Sequence, residues 1–264
     1  MSNQSFPTFT DISTLGEFGL IKELTKNNAS KHHNTVKSIG DDAAVIGTDD
    51  EAMVISTDML VEGIHFDLMY TPLKHLGYKS VVVNLSDIYA MNAVATHITV
   101  SVAISSKYSL EAMREFYDGI YTACKMYNID LVGGDTTSSP KGMIISITAV
   151  GQAKKDKIVY RSGAKKGDIL CVTGDLGAAY LGLQILEREK QVYLAHPGVQ
   201  PELDKSQYLI ERQLKPEAQR GAIEYFKREK IVPTSMIDVS DGLASELLHI
   251  CNQSDVGAFI EEGK

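Results

Sequence analysis

The stretch KSVVVNLSDIYAMNA, residues 79–93, decides how this 264-residue chain is expected to fold. It belongs to a longer stretch, residues 73–91, whose pattern favours a helix. Asn84 and Asp87 lie three positions apart, so both face the same way on that helix. Most of the residues around them are apolar and are expected to be buried: Val81, Val82, Val83, Leu85 and Ile88. A solvent-exposed role for Asp87 is therefore disfavoured.

Strand and helix patterns alternate on both sides of this helix. Strands are predicted over 52–56, 96–104, 129–132 and 143–150, and helices over 17–26 and 110–127. The pattern then restarts, with strands over 169–173, 236–239 and 256–259 and helices over 178–186, 206–213, 217–227 and from about 243. The charged segment GQAKKDK, residues 151–157, predicts a boundary between an N-terminal domain, 1–152, and a C-terminal domain, 153–264. The fold class is therefore α/β (α+β), with mixed sheets flanked by helices.

Composition excludes several classes of protein. The chain is 44% hydrophobic and 23% charged, which is enough to bury a sizeable core. Its net charge of -8, with no cluster of basic residues, argues against a nucleic-acid partner. The three cysteines are far apart and form no C-x-x-C pair, which argues against disulfides and thiolate zinc and favours a cytoplasmic location. The N-terminus lacks a leader pattern and no apolar run approaches the roughly 20 residues of a membrane span.

The most informative feature is a set of aspartates in short motifs near the ends of predicted elements. Asp58 and Asp135 each follow a strand-like run, where α/β proteins gather ligand groups. The motifs are GDDAAV with Asp41 and Asp42, ISTDML with Asp58, NLSDIYAM with Asp87, VGGDTT with Asp135, and IDVSDGL with Asp238 and Asp241.

Converging carboxylates repel one another, and a divalent cation relieves that repulsion. Oxygen ligands without a His or Cys set favour magnesium or manganese, and magnesium commonly arrives with nucleotide phosphates. The expected chemistry is phosphoryl transfer. Each motif also has a structural alternative. Ser240 or Asp241 could cap the following helix, Asp41 and Asp42 could form a solvated turn, and Gly133 with Gly134 could supply a positive φ.

Three further residues are candidates for ligand contacts. His65 follows Asp58 by seven residues and could reach the same cleft, although a lone histidine is commonly structural. Arg161 could clamp phosphate across the interdomain cleft or form a surface ion pair. Tyr117 could stack on an adenine or belong to the core.

The chain contains no G-x-x-x-x-G-K-[ST], H-R-D, D-F-G, G-x-G-x-x-G, G-x-S-x-G or H-E-x-x-H pattern, which excludes the common nucleotide, hydrolase and zinc sites.

The motifs, in this order, resemble those of the thiamine-monophosphate kinase family. They are LGEFGLI, IGDDAAV, ISTDMLVEGIHF, KSVVVNLSDIYAMNA, LVGGDTT, RSGAKKGD, VTGDLG and IDVSDGL. The resemblance implies the two-domain aminoimidazole ribonucleotide synthetase-like fold and direct in-line transfer of the ATP γ-phosphate to thiamine monophosphate. It also implies several Mg²⁺ ions, a homodimer formed through the N-terminal sheets, and ATP binding in domain 1–152.

The resemblance assigns site residues motif by motif. The implied catalytic residues are Asp58, Asp87, Asp135 and Asp238. The implied magnesium shell, partly through backbone oxygen or water, is Asp42, Ser56, Thr57, Asp58, Asp87, Asp135, Asp238 and Asp241. The implied nucleotide contacts are Tyr117, Gly134, Asp135, Arg161 and Ser240, and His65 is the implied substrate contact.

The resemblance also implies a later Gly-Gly-Glu-Asp-Tyr-Glu run and a C-terminal aromatic residue that hold the thiamine ring. Both would follow residue 264, so domain 153–264 is expected to be truncated. Two other hypotheses stay open from the sequence. One is a related ATP-dependent synthetase of the same superfamily, acting on a ribonucleotide amide. The other is a metal-binding module without catalysis.

Overall fold

The computed structural model describes residues 11–47 and 50–261, so the outermost residues of both predicted domains lie outside the description. The described chain contains six strands, seven α-helices and three short 3-10 helices at Ile12–Thr14, Lys155–Lys157 and Asp204–Ser206. The strands are β1 (Thr35–Lys37), β2 (Ala44–Gly47), β3 (Glu51–Val61), β4 (Val94–Ile104), β5 (Asp130–Ser138) and β6 (Ile144–Lys154). The helices are α1 (Gly16–Thr25), α2 (Leu73–Ala90), α3 (Leu110–Tyr127), α4 (Ala178–Ala195), α5 (Gln207–Leu214), α6 (Arg220–Glu229) and α7 (Leu243–Ser254).

The six strands form one mixed sheet in the order β1-β2-β3-β6-β4-β5. All neighbours are antiparallel except β4 and β5, which are parallel and are joined by α3. A parallel pair needs such a crossover because its second strand must start again at the same end of the sheet. The long strands β3 and β6 pair over their full lengths, from Glu51 opposite Lys154 to Val61 opposite Ile144.

The main hydrophobic core lies between this sheet and the helices α2 and α3. Leu76, Leu85 and Ile88 of α2 are fully buried, as are Phe116 and Ile120 of α3. Burying a side chain of this size stabilises the fold by roughly 1.5–3 kcal/mol. The opposite face of the sheet carries exposed apolar side chains, with Met53 42%, Met59 56% and Val94 47% exposed.

Helices α2 and α3 approach each other at two glycines. A Cβ on Gly77 would lie 1.9 Å from the carbonyl oxygen of Phe116, and one on Gly119 would lie 2.0 Å from that of Lys74. Both positions therefore require the absence of a side chain. Ser109 begins α3 by accepting the Ala112 N–H, and Asn128 ends it in the left-handed conformation (φ 54°).

The second half of the chain is helical and irregular. Helices α4 and α5 enclose a small core of Leu186, Ile210 and Leu214. Over residues 158–261, all of which the structure describes, no strand forms. The strands predicted over 169–173, 236–239 and 256–259 are therefore wrong. Their apolar side chains do not pair in a ladder and are largely exposed, reaching 87% at Ile169 and 83% at Phe259.

Several other boundaries also differ from prediction. β3 and β5 continue well past the predicted ends, so Asp58 and Asp135 lie within strands and not after them. The first four residues of the predicted boundary segment, 151–154, form the end of β6. Helix α4 runs to Ala195, well past the predicted end at 186. The division into domains 1–152 and 153–264 stays a prediction.

Candidate active site

Three aspartates from distant parts of the chain meet beside the sheet. Asp42 lies in the loop before β2, Asp87 lies in the last turn of α2, and Asp238 lies in the irregular segment before α7. One carboxylate oxygen from each lies within 4.8 Å of the other two. We call Asp42, Asp87 and Asp238 the acidic cluster. Its convergence confirms that the GDD, NLSD and IDVSD motifs share one location.

Strand β3 and helix α2 fix Asp87 and its neighbours. The Ser56 hydroxyl donates to Asp87 Oδ2 at 2.6 Å, and the Asp58 backbone N–H donates to Asn84 Oδ1 at 2.9 Å. Asn84 in turn donates to the carbonyl of Ser80 at 2.9 Å and is buried. Side chains alternate along a strand, so Ser56 and Asp58 share the face that α2 covers. The predicted pairing of Asn84 and Asp87 on one face of the helix is confirmed.

The surroundings of the cluster favour the neutral form of its carboxyl groups. Burial raises the pKa of Asp42 to about 7, although Arg161 opposes this effect. Burial is also the main cause that raises the pKa of Asp87, and the nearby Asp238 and Asp58 raise it further. Burial raises the pKa of Asp238, against the Ser86 hydroxyl and Arg161. Burial likewise raises the pKa of Asp58, and His65 opposes it. A cation at this position would replace protons as the source of neutralising charge.

Arg161 connects the acidic cluster to the second half of the chain. Its Nε donates to Asp42 Oδ1 at 3.0 Å and its backbone N–H donates to Asp41 Oδ1 at 3.1 Å. Its carbonyl accepts from Ser235 Oγ at 2.7 Å. The arginine therefore forms an ion pair with Asp42, whose side chain is fully enclosed, and not the surface ion pair considered from the sequence.

An open cleft of about 1660 Å³ lies next to the cluster, between α2 and the irregular segments 164–177 and 231–242. Asp58, Asp87 and Asp238 line it, together with Ser240 and Asp241. Neither Ser240 nor Asp241 caps α7, because Gly242 occupies that position without a side-chain bond. Asp241 uses its backbone N–H to bond Glu246 Oε1 at 3.0 Å, so its own carboxylate is not needed for the helix.

His65 lies on the loop between β3 and α2. The Val61 backbone N–H donates to its Nδ1 at 3.0 Å, so Nε2 carries the proton of the neutral ring and can donate to a ligand. Because His65 influences the ionisation of Asp58, the two side chains share one electrostatic neighbourhood. The residues that line the cleft do not include His65, so the expectation that it reaches the same cleft stays a prediction.

The chain matches known proteins over most of its length. The family "AIR synthase related protein, N-terminal domain" matches residues 40–153. The thiamine-monophosphate kinase of Bacillus subtilis is 35% identical over 94% of this chain and 74% of its own length. The chain belongs to the thiamine-monophosphate kinase family. The thiamine-monophosphate kinase of Escherichia coli is 35% identical over 93% of this chain and 71% of its own length.

A solved member of the thiamine-monophosphate kinase family has the same architecture. The structure described as AaThiL complexed with AMPPCP and TMP superimposes with a TM-score of 0.79 at 30% identity. The match covers 94% of this chain and 74% of that one. The α/β fold of the aminoimidazole ribonucleotide synthetase type and the assignment as a kinase are thus confirmed.

Two residues lie apart from the acidic cluster, although the resemblance to thiamine-monophosphate kinases assigns them to the magnesium shell. The Thr57 side chain donates to the Ile147 carbonyl at 3.0 Å on the far face of β3, so only its backbone oxygen could serve a metal. Asp135 lies on the edge strand β5, opposite Ser101, where Thr136 N–H donates to its Oδ1 at 2.9 Å. That edge is three strands from β3, a separation of about 14 Å, given roughly 4.8 Å per strand. The role of Asp135 in the shell stays a prediction.

Gly134 and Tyr117 also have structural roles of their own. A Cβ on Gly134 would lie 1.8 Å from the Val100 carbonyl oxygen, so this glycine allows β5 to pair closely with β4. Tyr117 is half-buried on α3 and makes aromatic contacts with Phe116 and Tyr121 at 5.7 and 6.1 Å between ring centroids. Their nucleotide-binding roles stay predictions.

Ser86 is a residue of the site that the sequence analysis did not single out. Its hydroxyl favours the ionised form of Asp238 and it lines the cleft. Ser86 directly precedes Asp87 in the NLSDIYAM motif, and this position is the feature of the sequence that could have identified it as a site residue. A serine in a helix has many structural roles, however, and only the approach of Asp238 distinguishes this one.

Proposed function

We propose that the acidic cluster binds Mg²⁺ with the phosphates of ATP, and that the protein transfers the γ-phosphate to thiamine monophosphate. In this reaction an oxygen of the acceptor phosphate bonds to the γ-phosphorus while the bond from that phosphorus to the bridging oxygen of ADP breaks. The products are thiamine diphosphate and ADP. The observation that carries the proposal is the meeting of Asp42, Asp87 and Asp238 within 4.8 Å in a family of kinases.

The donor atoms of the cluster fit magnesium. All are carboxylate oxygens, which Mg²⁺ prefers, and Asp42 Oδ2 is buried without a hydrogen-bond partner. A bound cation would coordinate that oxygen and neutralise the negative charge of the three carboxylates. When present, Mg²⁺ would neutralise the charge that spreads over the transferred phosphoryl group. Asp58 and Ser56 lie next to the cluster and are proposed to complete its oxygen shell, with Asp241 from the cleft wall.

The remaining side chains are proposed to bind and orient the two substrates. Arg161 would give up part of its contact with Asp42 to bind a nucleotide phosphate, since a guanidinium can form bidentate hydrogen bonds with either a carboxylate or a phosphate. Ser240, in the cleft wall, would donate to the same phosphates. His65 would donate from Nε2 to the acceptor. No covalent phosphoenzyme is required, because positioning and charge neutralisation supply the catalysis of such transfers.

The protein is also proposed to be a homodimer joined through the open face of the sheet. Exposed Met53, Met59 and Val94 give that face an apolar surface of the kind that protein interfaces cover. Asp135 points to this face, as its register opposite Ser101 and Ser146 requires. A dimer contact would therefore change the surroundings of Asp135 and the neighbouring Gly134 on strand β5.

Tyr117, on helix α3, is proposed to contact the nucleotide base.

We propose a cytoplasmic location, in keeping with three free cysteines. None of the helices within residues 11–47 and 50–261 combines the length and apolar character that a bilayer span requires. The expected partners are ATP and thiamine monophosphate, and neither nucleic acid nor a membrane is expected to bind.

Incubation of the purified chain with Mg²⁺, ATP and thiamine monophosphate tests the proposal. Thiamine diphosphate, detected directly by chromatography, should form only when all three are present. ATP should also raise the melting temperature beyond the effect of Mg²⁺ alone. A non-catalytic metal module would melt later with Mg²⁺ and show no effect of ATP. ADP release with a formylglycinamidine substrate, and not with thiamine monophosphate, would instead indicate a synthetase.

A further inference from the structure

The loop between β3 and α2, residues 62–72, connects the two hydrophobic cores. Phe66 is 5% exposed and belongs to the main core beneath the sheet. Four residues later, Tyr70 packs against the small core of α4 and α5 that includes Leu186 and Ile210. His65 immediately precedes the first of these two anchors. Its position therefore depends on both halves of the molecule.

Polar contacts to α4 hold the second anchor. The Tyr70 hydroxyl donates to Glu187 Oε1 at 2.7 Å. Lys190 Nζ pairs with Asp67 Oδ2 at 2.8 Å and with Glu187 Oε2 at 3.4 Å, and it lies 5.8 Å from the centre of the Tyr70 ring. We call Asp67, Tyr70, Glu187 and Lys190 the α4 clamp. The Lys190 side chain is only 19% exposed, so these pairs are less screened than ordinary surface pairs.

Short backbone bonds transmit the position of the clamp to His65. The Gly63 N–H donates to the Phe66 carbonyl at 2.8 Å, and the His65 N–H donates to the Val61 carbonyl at 2.9 Å. Together with the bond from Val61 N–H to the His65 ring, they leave the histidine little independent movement. The whole turn must move if Asp67 or Tyr70 is displaced.

The other end of the loop is fixed within the N-terminal half. Glu62 accepts hydrogen bonds from the Tyr108 hydroxyl and, at 2.7 Å, from the Met143 N–H, and it pairs with Lys107. These partners lie beside the sheet and not on α4. The α4 clamp is thus the contact through which the second half of the chain acts on the loop.

We infer that Lys190 and Glu187 of α4 are positioning residues for the acceptor substrate, because they hold the loop that presents His65. This inference rests on the proposed role of His65 in binding thiamine monophosphate. Neither residue belongs to the acidic cluster, so their effect should be confined to the acceptor. An ordered loop binds its ligand without first losing conformational freedom, and loosening it weakens binding.

Kinetics of Lys190→Met in the full chain test the inference. The KM for thiamine monophosphate should rise by about tenfold, while the KM for ATP and kcat stay within about twofold. Lys190→Arg keeps both ion pairs and should restore most of the lost affinity. Lys205→Met is the matched control, since it removes an exposed lysine whose ion pair, among residues 11–47 and 50–261, is with Glu202 of the same segment. An unchanged acceptor KM in Lys190→Met, or an equal rise in both KM values, would overturn the inference.

Hydrogen exchange separates failure of the clamp from failure of the proposed function. Amides of residues 61–71 should exchange faster in Lys190→Met than in the wild type, and Lys205→Met should match the wild type. If the wild type makes no thiamine diphosphate, the proposed function fails while this measurement still decides whether α4 orders the loop. Equal exchange in all three proteins would reject the clamp whatever the activity.

Discussion

The three carboxylates of the acidic cluster are held closer together than their charges would allow in water. Burial and mutual repulsion act in the same direction on Asp87, and both disfavour its ionised form. Only Arg161 supplies a positive charge in direct contact with the cluster among the ion pairs of the described residues. The apo site is consequently strained electrostatically, and two predictions at the level of single residues follow from that strain.

Asp87→Asn should separate stability from activity. The amide imitates the neutral acid, so the apo protein should gain about 1 kcal/mol at pH 8, where the wild type must keep protonated a carboxyl that is ionised in the unfolded chain. Turnover should fall by about 100-fold or more because a metal ligand is lost. Chemical unfolding in EDTA and steady-state kinetics measure the two effects.

Asp118→Asn is the matched control, because this aspartate is exposed on α3. It should change neither quantity. Wild-type turnover in Asp87→Asn would remove Asp87 from the catalytic machinery.

Magnesium should offset the loss of stability that rising pH causes in the metal-free protein. A carboxyl whose folded pKa is raised binds protons more tightly in the folded state, so its stabilising contribution is present at low pH. That contribution is lost as pH rises from about 4, the unfolded value, through the folded value of about 7 for Asp42. Mg²⁺ competes with these protons, so the melting-temperature increase that it produces should be larger at pH 8.5 than at pH 6. Equal increases at the two pH values would contradict the proposed metal site.

The sequence analysis selected all three members of the acidic cluster, because each lies in one of the short aspartate motifs. It could not show which aspartates meet. Asp135 resembles Asp58 in sequence context, yet the strand order separates the two by three strands. Thr57 lies between Ser56 and Asp58, and the alternation of β3 alone directs its side chain to the other face. The first outcome depends on the pairing of distant strands, which local patterns do not encode, and the second depends on the continuation of β3 past its predicted end at 56, where it pairs with β6.

Among the elements, the α2 and α3 pair is sensitive to side-chain size where the two helices meet. Gly77→Ala would place a methyl group 1.9 Å from the Phe116 carbonyl oxygen, so the helices must separate. We expect a loss of about 2–4 kcal/mol in the free energy of unfolding, as in other overpacked interiors. Urea denaturation followed by circular dichroism gives this value.

Gly221→Ala provides the comparison, since a Cβ at that position of α6 meets no atom within 4 Å. Helix propensity predicts unchanged or slightly increased stability there, by up to about 1 kcal/mol. A similar loss in both variants would mean that the contact between α2 and α3 is not the cause.

Sequence periodicity located the helices better than the strands. Helix α3 has the predicted limits and α2 ends one residue early, since a helix satisfies its own backbone bonds. The short strands β1 and β2 were not predicted, because three or four residues carry too little pattern. The segments 169–173, 236–239 and 256–259 have strand-like composition but no ladder, which shows that a strand requires a neighbour as well as a sequence.

For the whole molecule, the open face of the sheet predicts self-association. Sedimentation should give twice the chain mass of 28.9 kDa. The double substitution Met53→Glu and Met59→Glu should yield monomers, because charged groups would face each other across the contact. Leu110→Glu changes an equally exposed apolar residue on the helical side and should remain dimeric. A wild-type monomer at micromolar concentration would refute the proposed dimer.

The acidic cluster also has a consequence for how the chain is held together. Two of its members come from the first third of the sequence and the other comes from the final quarter, and a single divalent ion bound by all three would hold these distant segments together. Depletion of magnesium should therefore loosen all three segments at once, and a protease such as trypsin should cut near residues 37 and 161 sooner after chelation. Supply of the ion would then govern the lifetime of the protein as well as its catalysis.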